Sequence, residues 1–255
     1  MACPQPPIPN SQPPQYSLII PAYNEQDQLT RTLPIIREAM AQVDEPGELI
    51  VVDNNSTDAT AQVAREHGAA VVFEPVNQIA KARNAGAAAA QSNAFIFVDA
   101  DTTPAGELLQ QAVTLMLNDK AIGGGGIVEM DCQVPWTVRL VLGFWNTVSR
   151  LCRLSAGCFF FCQRDAFHEA GGFPESVYAS EEIWLARRLR KLGRQRGKPM
   201  TILREPTVKT SARKTDQTFR VAGMMLLFLV FPFAVRWRRF CGYWYKGKEP
   251  KAHGQ

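Results

Sequence analysis

The first half of the chain alternates between short apolar runs and longer segments in which apolar residues recur every three or four positions. The apolar runs cover residues 16–20, 48–52, 70–73 and 95–98, and Pro21 is predicted to end the first of them. The segments with helical spacing cover residues 29–43, 57–67, 79–91 and 104–117. Uninterrupted apolar strands that alternate with amphipathic helices predict a mostly parallel α/β sheet with helices on both faces.

The second half of the chain is less regular. Strands are predicted at residues 127–130 and 159–162, and helices at residues 136–154 and 181–192, with Ser180 as the cap of the last helix. The glycines from Gly123 to Gly126 predict a bend or a close approach of a ligand. They lack the G-x-G-x-x-G spacing of a dinucleotide-binding loop.

Polar side chains follow three of the predicted strands. They are Tyr23, Asn24 and Glu25 after the first, Asp53, Asn54 and Asn55 after the second, and Asp99 and Asp101 after the fourth. Ligands of such sheets bind outside the carboxyl ends of the strands, so these residues are predicted to converge on one site. The alternative is that Asp and Asn occur there only as turn residues.

Two carboxylates, Asp99 and Asp101, end the fourth strand one residue apart. If the strand geometry persists to Asp101, both side chains point to the same side of the sheet. Carboxylate oxygens suit hard cations such as Mg²⁺ or Mn²⁺. In the alternative interpretation the two residues only end the strand, and Thr103 and Pro104 start the next helix as its cap and first turn.

The chain of 255 residues fits one α/β domain, preceded by a Pro-rich segment, residues 1–15, that predicts a flexible tail. This tail has no apolar stretch of the kind that a secretory signal needs, so a cytoplasmic location is predicted. Six scattered cysteines have no zinc-finger spacing and predict free thiols in a reducing compartment.

Basic charge is concentrated at the C-terminal end, where residues 204–255 hold 11 Lys and Arg against 3 Asp and Glu. Within the last segment, residues 216–255, the run 221–235 is apolar throughout but shorter than the ~20 residues that span a bilayer as a helix. Residues 221–245 therefore predict a helix in peripheral contact with a membrane, or one buried in the core or in a dimer. The solid apolar block argues against nucleic-acid binding.

Several short motifs, taken in order, carry a family resemblance. They are Ile20-Pro-Ala-Tyr-Asn-Glu25, Ile50-Val-Val-Asp-Asn-Asn-Ser-Thr-Asp58, Ala82-Arg-Asn-Ala-Gly86, Val98-Asp-Ala-Asp101, Gly171-Gly-Phe173 and Glu181-Glu182. Over residues 16–215 the chain resembles a family 2 glycosyltransferase with the Rossmann-like GT-A fold. The resemblance implies transfer of a sugar, with inversion, from a nucleoside diphosphate sugar, most often a UDP-sugar. The acceptor would be a hydroxyl or phosphate of a sugar or a lipid-linked molecule.

The same resemblance assigns residues to the donor. Pro21, Tyr23 and Glu25 would line the nucleotide pocket, Asp53 would accept a hydrogen bond from the base, and Lys81 and Arg83 would lie near the base or the diphosphate. Asp99 would approach the ribose and the metal, while Asp101 would hold Mg²⁺ or Mn²⁺ against the diphosphate. Arg213 would steady the leaving diphosphate, or else belong to a solvated basic loop.

The pair Glu181 and Glu182 matches the position at which the family usually has Glu-Asp. By resemblance one of the two is the general base that deprotonates the acceptor, and Glu182 aligns with the usual base. Acids in a first helical turn also complement the helix dipole without any catalytic role. A noncatalytic protein that binds nucleotide sugars or acts as a scaffold on the same fold is therefore the alternative function. The residues after the first strand form no Gly-rich phosphate loop, which argues against a nucleotidyltransferase.

Overall fold

One eight-stranded sheet runs through the protein, whose computed structural model describes residues 12–211. The strands are β1 (Tyr16–Ala22), β2 (Gly47–Asp53), β3 (Ala70–Phe73), β4 (Ala94–Val98), β5 (Thr102–Thr103), β6 (Gly123–Met130), β7 (Phe159–Gln163) and β8 (Met200–Thr210). The helices are α1 (Gln26–Met40), α2 (Thr60–Glu66), α3 (Ile79–Ala89), α4 (Gly106–Leu117), α5 (Trp136–Cys152), α6 (Arg164–Glu169) and α7 (Glu181–Arg196).

The sheet has the strand order β3-β2-β1-β4-β7-β6-β8-β5, and its first four strands are parallel. β7 is antiparallel to both of its neighbours, β4 and β6, and joins the parallel half to a second parallel pair, β6 and β8. Apolar residues of α1 and α4 pack on one face of the sheet, and those of α3, α6 and α7 pack on the other. The predicted α/β fold with a mostly parallel, doubly covered sheet is confirmed.

The first strand extends past the position at which Pro21 was expected to end it. β1 pairs with β4 only as far as Ile19, whereas its pairing with β2 continues to Ala22. Ala22 directs its carbonyl toward β2, where it accepts a bond from the N–H of Asn54 at 2.8 Å. Neighbouring residues of a strand face opposite partners, so Pro21 lies on the unpaired side, where no amide hydrogen is required.

The glycines before the predicted strand at 127–130 are part of the strand itself. A Cβ on Gly124 would lie 1.9 Å from the carbonyl oxygen of Thr201, and one on Gly125 would lie 1.9 Å from Oγ of Ser155. The close approach that these glycines allow is therefore to neighbouring protein and not to a ligand.

One predicted helix start is wrong, and one predicted cap makes no capping bond with its side chain. Thr103 does not cap a helix, because Thr102 and Thr103 form β5 and pair with the end of β8, so that α4 begins only at Gly106. Ser180 precedes α7 as predicted, but it has the left-handed φ of 60° and its side chain makes no capping hydrogen bond. Left-handed backbone at a residue other than glycine costs about 1–2 kcal/mol, and here it lies directly before the two glutamates.

Gly86 sets the distance between α3 and the sheet. A Cβ at this position would lie 2.4 Å from Cγ2 of Ile19 and 2.9 Å from Cγ2 of Val52. Gly86→Ala is expected to lower the free energy of unfolding by about 1–3 kcal/mol, because overpacking forces α3 away from β1 and β2. Urea unfolding measures the loss, and Gly143→Ala, where no atom lies within 4 Å, is the control. Equal stability of the two variants would contradict the expectation.

The predicted tail, residues 1–15, lies mostly outside the described residues, and the predicted segment 216–255 lies entirely outside them. Among residues 12–211, no helix combines the length and the apolar character that crossing a bilayer requires.

Candidate active site

A narrow cleft opens at the edge of the sheet where β1, β2 and β4 end. Five residues that the sequence assigns to donor or metal line it, namely Pro21, Tyr23, Glu25, Asp99 and Asp101. The other lining residues are Ala22, Asn54, Asn77, Ile79 and Ala100. The five belong to the ends of β1 and β4, and Asn54 adds the end of β2, so the structure brings the three strand ends together at this cleft.

Asp99 and Asp101 reach the cleft through a turn and not through a continued strand. β4 ends at Val98, and the N–H of Thr102 donates to the carbonyl oxygen of Asp99 at 3.0 Å. The N–H of Ser211, just after β8, donates to the carbonyl oxygen of Asp101 at 3.0 Å. The expectation of strand geometry up to Asp101 is wrong, yet the turn still places both residues in the lining of the cleft.

The donor set of the cleft fits a divalent cation that a substrate completes. Asp99 and Asp101 supply hard carboxylate oxygens, which suit Mg²⁺ and Mn²⁺. Residues 12–211 contain no group of three or more His, Cys, Asp or Glu placed to hold a metal ion by themselves. Mg²⁺ sites commonly combine one or two carboxylates with substrate phosphates and water, so two carboxylates in a cleft match this type of site.

Arg83 is the largest fully buried side chain, with 1% of its surface exposed. Its Nη2 lies 2.8 Å from Oδ1 of Asp99, its Nη1 lies 2.6 Å from Oε1 of Glu181, and Nη2 also donates to the carbonyl oxygen of Gly157 at 2.7 Å. Burial lowers the pKa of Arg83, but the carboxylates of Asp99 and Glu181 outweigh it and hold the pKa above its ordinary value. Arg83 is absent from the cleft lining but holds Asp99, which does line it. Its predicted place near the base or the diphosphate stays a prediction.

The two glutamates at the start of α7 have different surroundings. Glu181 is 3% exposed and its carboxylate is held by Arg83. Glu182 is half-buried and lies beside Gly157, where an added Cβ would approach its Cδ to 3.3 Å. Arg83 therefore connects the Asp99 turn on one side of the site with the glutamate pair on the other.

Burial changes the protonation of both glutamates. Desolvation raises the pKa of Glu181, against the attraction of Arg83. Desolvation, followed by repulsion from Glu181, raises the pKa of Glu182 to about 8, and Arg83 again opposes the rise. A carboxyl with a pKa near neutrality is suited to accept a proton in catalysis, because it binds the proton strongly and still ionises at working pH.

The loops that follow β1 and β2 are bonded to each other and form one wall of the site. Oδ1 of Asp53 accepts a bond from the N–H of Ser56 at 3.0 Å, and Oγ of Ser56 accepts one from the N–H of Asn24 at 3.0 Å. Asp53 itself is 7% exposed and is not among the lining residues, whereas its neighbour Asn54 is. In the structure Asp53 holds this loop together, and its predicted hydrogen bond to the nucleotide base stays a prediction.

Two other predicted donor residues are Lys81 and Arg213. Nζ of Lys81 forms an ion pair with Glu175 at 3.2 Å and is not part of the cleft lining. Arg213 lies outside the described residues. The sequence interpretation also missed Asn77, Ile79 and Gly157. Asn54 is marked in the sequence by its place after a strand, but no local pattern marks Asn77, Ile79 or Gly157.

Comparison with known proteins decides the family. The sequence matches the family described as glycosyl transferase family 2 over residues 17–170. The chain belongs to this family. An uncharacterized glycosyltransferase of Mycobacterium bovis is 33% identical over 137 residues, which cover 52% of this chain and 60% of the relative. The glycosyltransferase AglE of Haloferax volcanii is 30% identical over 192 residues, covering 71% of this chain and 62% of the relative.

The chain thus spans about 60% of the length of the curated family 2 relatives named above. Among solved structures, glucosyl-3-phosphoglycerate synthase of Mycobacterium tuberculosis, in complex with Mn²⁺ and UDP, covers 90% of the chain with a TM-score of 0.60 and 20% identity. The match covers 80% of that structure. A mannosyltransferase of Pyrobaculum calidifontis, in complex with GDP-Man and Mn²⁺, matches with a TM-score of 0.59 and 21% identity. This match covers 94% of the present chain and 67% of the mannosyltransferase chain. These likenesses confirm the predicted GT-A type of fold.

Proposed function

We propose that the protein transfers a sugar, with inversion, from a nucleoside diphosphate sugar, most consistently a UDP-sugar, to an acceptor hydroxyl or a lipid phosphate. The observation that carries this proposal is the bridge by Arg83 between Asp99 in the cleft and Glu181 beside Glu182. It puts carboxylates suited to a metal diphosphate and a carboxyl suited to proton transfer at one site. Family 2 membership and the fold shared with enzymes solved with Mn²⁺ and UDP or GDP-Man support it.

The donor would lie along the cleft. Pro21, Tyr23 and Glu25 would form the wall against the nucleotide, and Asn54 would contact it from the next loop. Asp53 would accept a hydrogen bond from the nucleotide base, from the loop that it holds together. Lys81 could reach a phosphate only after leaving Glu175, since the two now form an ion pair.

Asp101 and Asp99 are the residues that would hold Mg²⁺ or Mn²⁺, with Asp99 also near the ribose. Such an ion, when bound, stabilises the negative charge of the departing nucleoside diphosphate. Arg83 keeps the Asp99 carboxylate in place by the bond at 2.8 Å. Arg213, which is outside the described residues, would add a further positive charge to the leaving diphosphate.

Glu182 would take the proton of the acceptor hydroxyl as that oxygen attacks the anomeric carbon. The new bond joins the acceptor oxygen to the anomeric carbon, while the bond from that carbon to the diphosphate oxygen breaks on the opposite face. Glu181 would not act as the base, because its carboxylate is already engaged by Arg83. For a lipid phosphate the attacking oxygen is already anionic, so Glu182 would only orient it.

The cellular place that we propose is the cytoplasm, with peripheral contact to the cytoplasmic face of a membrane. The apolar and basic residues 221–245 support such a contact by their composition. They lie outside the described residues.

Asp101→Ala tests the donor and metal site. We expect Mn²⁺-dependent hydrolysis of UDP-sugars to fall by about 100-fold or more, because the diphosphate loses the charge stabilisation that the ion gives. The rise in melting temperature on adding UDP with Mn²⁺ should also disappear, since only the folded state binds the ligand.

The matched control is Glu38→Ala, which removes an exposed carboxylate of α1 outside the cleft and should change neither readout. Stabilisation of the wild type by UDP and Mn²⁺ without any turnover would instead indicate a noncatalytic nucleotide-sugar-binding protein. Wild-type behaviour of Asp101→Ala in both assays would refute the proposed metal site.

A further inference from the structure

α5 exposes a row of large apolar side chains. Trp136, Leu140, Phe144 and Leu151 are 70%, 62%, 73% and 79% exposed, respectively. At about 100° per residue these four positions fall within an arc of about 80° on the helix surface. Together they form the outer face of α5. An apolar stripe of this size on a helix marks an interaction surface more often than chance exposure.

The inner side of α5 holds the helix with few contacts. Only Val138 and Ser149 are buried along its 17 residues. The side chain of Asn146 attaches it to β6, accepting from the N–H of Val128 at 3.2 Å and donating to the carbonyl oxygen of Val128 at 2.9 Å. The middle of the helix is therefore attached to the sheet, while the four side chains of the outer face are exposed.

The charges around the outer face decide what covers it. α5 contains Arg139 and Arg150 and ends at Arg153, and it contains no Asp or Glu. Residues 212–255, the apolar and basic end of the chain, hold nine Lys and Arg against two Asp and Glu, a net charge of +7. This segment and a second copy of α5 would each bring like charge to the face. An anionic lipid surface brings the opposite charge together with an apolar interior.

We propose that the outer face of α5 docks on an anionic lipid surface. Trp136, Leu140 and Phe144 enter the boundary between headgroups and acyl chains, and Arg139 and Arg150 contact the headgroup phosphates. A helix with Trp, Phe and Leu on one face and Arg beside them is the type that lies in the plane of a membrane.

The docking face is connected to the active site at both of its ends. Before α5, the N–H of Asp131 donates to the carbonyl oxygen of Thr210, and the next residue after Thr210, Ser211, donates its N–H to the carbonyl oxygen of Asp101. After α5, the chain returns at Gly157, whose carbonyl oxygen accepts a bond from Arg83. If the proposed function holds, the acceptor is an amphiphile that reaches Glu182 from the lipid surface.

The test compares full-length variants in sedimentation with vesicles of phosphatidylcholine containing phosphatidylglycerol. Leu140→Ser combined with Phe144→Ser is expected to lower the vesicle partition coefficient by about tenfold or more, because two exposed side chains no longer enter the lipid. Arg139→Gln combined with Arg150→Gln should weaken binding at low salt and have less effect at high salt. Vesicles of phosphatidylcholine alone should bind the wild type less than the mixed vesicles do.

Ile35→Ser combined with Phe73→Ser is the matched control, since these two apolar residues are 49% and 59% exposed on other elements. This variant should bind vesicles as the wild type does. Unchanged vesicle binding of the α5 apolar variant overturns the proposal. A lowered melting temperature with unchanged binding would show that the chain's own C-terminal segment covers the face. A change from dimer to monomer with unchanged binding would show that a second copy does.

The outcome is separable from that of the proposed function. Stabilisation by UDP with Mn²⁺ depends on the cleft, and none of the residues that line the cleft belongs to α5. A wild type that binds vesicles but neither binds nor hydrolyses UDP-sugars leaves the docking proposal standing and refutes the proposed function. The reverse pattern refutes the docking proposal alone.

Discussion

Glu182→Gln is expected to lower kcat for transfer to an acceptor hydroxyl by about 10²–10⁴-fold, because an amide cannot take the acceptor proton. The nucleotide cleft does not include this residue, so stabilisation by UDP with Mn²⁺ should stay at the wild-type level. Steady-state transfer assays and thermal shifts on the same preparations measure both quantities. The combination separates a lost base from a lost donor site.

The pH dependence of the wild type follows from the same residue. With a pKa of about 8, Glu182 is mostly protonated at neutral pH, so kcat/KM should rise with pH up to about 8 and then level off.

The stability of the folded protein is expected to change with pH in the opposite direction to kcat/KM. The folded protein keeps a proton that the unfolded chain loses near its ordinary pKa of about 4.3, so stability falls as pH rises from there to about 8. Glu182→Gln should lack this fall and melt higher than the wild type at alkaline pH.

Glu182→Asp is the matched control, because it keeps a carboxylate and restores the residue that the family usually has there. We expect it to retain most of the transfer activity that Glu182→Gln loses, with the same direction of pH dependence. If Glu182→Gln transfers sugar to a hydroxyl acceptor at the wild-type rate, Glu182 is not the base.

Arg83→Met is expected to lower the free energy of unfolding by about 3–5 kcal/mol, the usual cost of removing one partner of a buried ion pair. Without the guanidinium, the 3% exposed carboxylate of Glu181 remains buried without its counter-charge, and Asp99 loses the bond at 2.8 Å. Urea unfolding measures the loss. Transfer activity should fall even where the variant is fully folded, since both sides of the site lose their support.

Two further variants sharpen this result. Arg83→Lys keeps the charge, but one ammonium cannot reproduce the fork that bonds Asp99 and Glu181 together, so activity should recover less than stability does. Arg164→Met removes a half-buried guanidinium that donates to the carbonyl oxygen of Ser92 at 3.2 Å, and should cost about 0.5–1.5 kcal/mol. A loss for Arg83→Met no larger than that for Arg164→Met would contradict the central role given to Arg83.

Local pattern was sufficient for much of the fold. β3 begins and ends where the apolar run does, and the strands paired with it in the first parallel group, β1, β2 and β4, differ from their predicted bounds by one or two residues. β6 begins four residues earlier than predicted. Parallel strands buried on both faces are continuous in sequence, so their pattern is easy to read. The direction of β7 could not be read in this way, because its antiparallel pairing with β4 joins residues such as Ala94 and Gln163 that are far apart in the chain.

The site shows the same limit. Asp99 and Asp101 could be predicted because they directly follow the apolar run of β4. They form a turn and not a continued strand, but both still line the cleft. The sequence marks the motif around Arg83 but not its partners Glu181 and Gly157, because only the folded chain brings their elements near Arg83. Lys81 is absent from the cleft lining for a different reason. It is partly exposed and pairs with Glu175, a contact that no spacing in the sequence reveals.

The bridge made by Arg83 also bears on how the protein can be redesigned. Arg83 holds the first turn of α7 through Glu181 and the turn after β4 through Asp99. Asn54 and Asn77 line the cleft from loops that Arg83 does not contact. If the proposed function holds, substitutions at these two asparagines are expected to alter which nucleotide is accepted without displacing Glu182. Substitutions at Gly157 would act on the chemical step instead. Donor choice and turnover would then depend on different residues, so that one could be engineered while the other is kept.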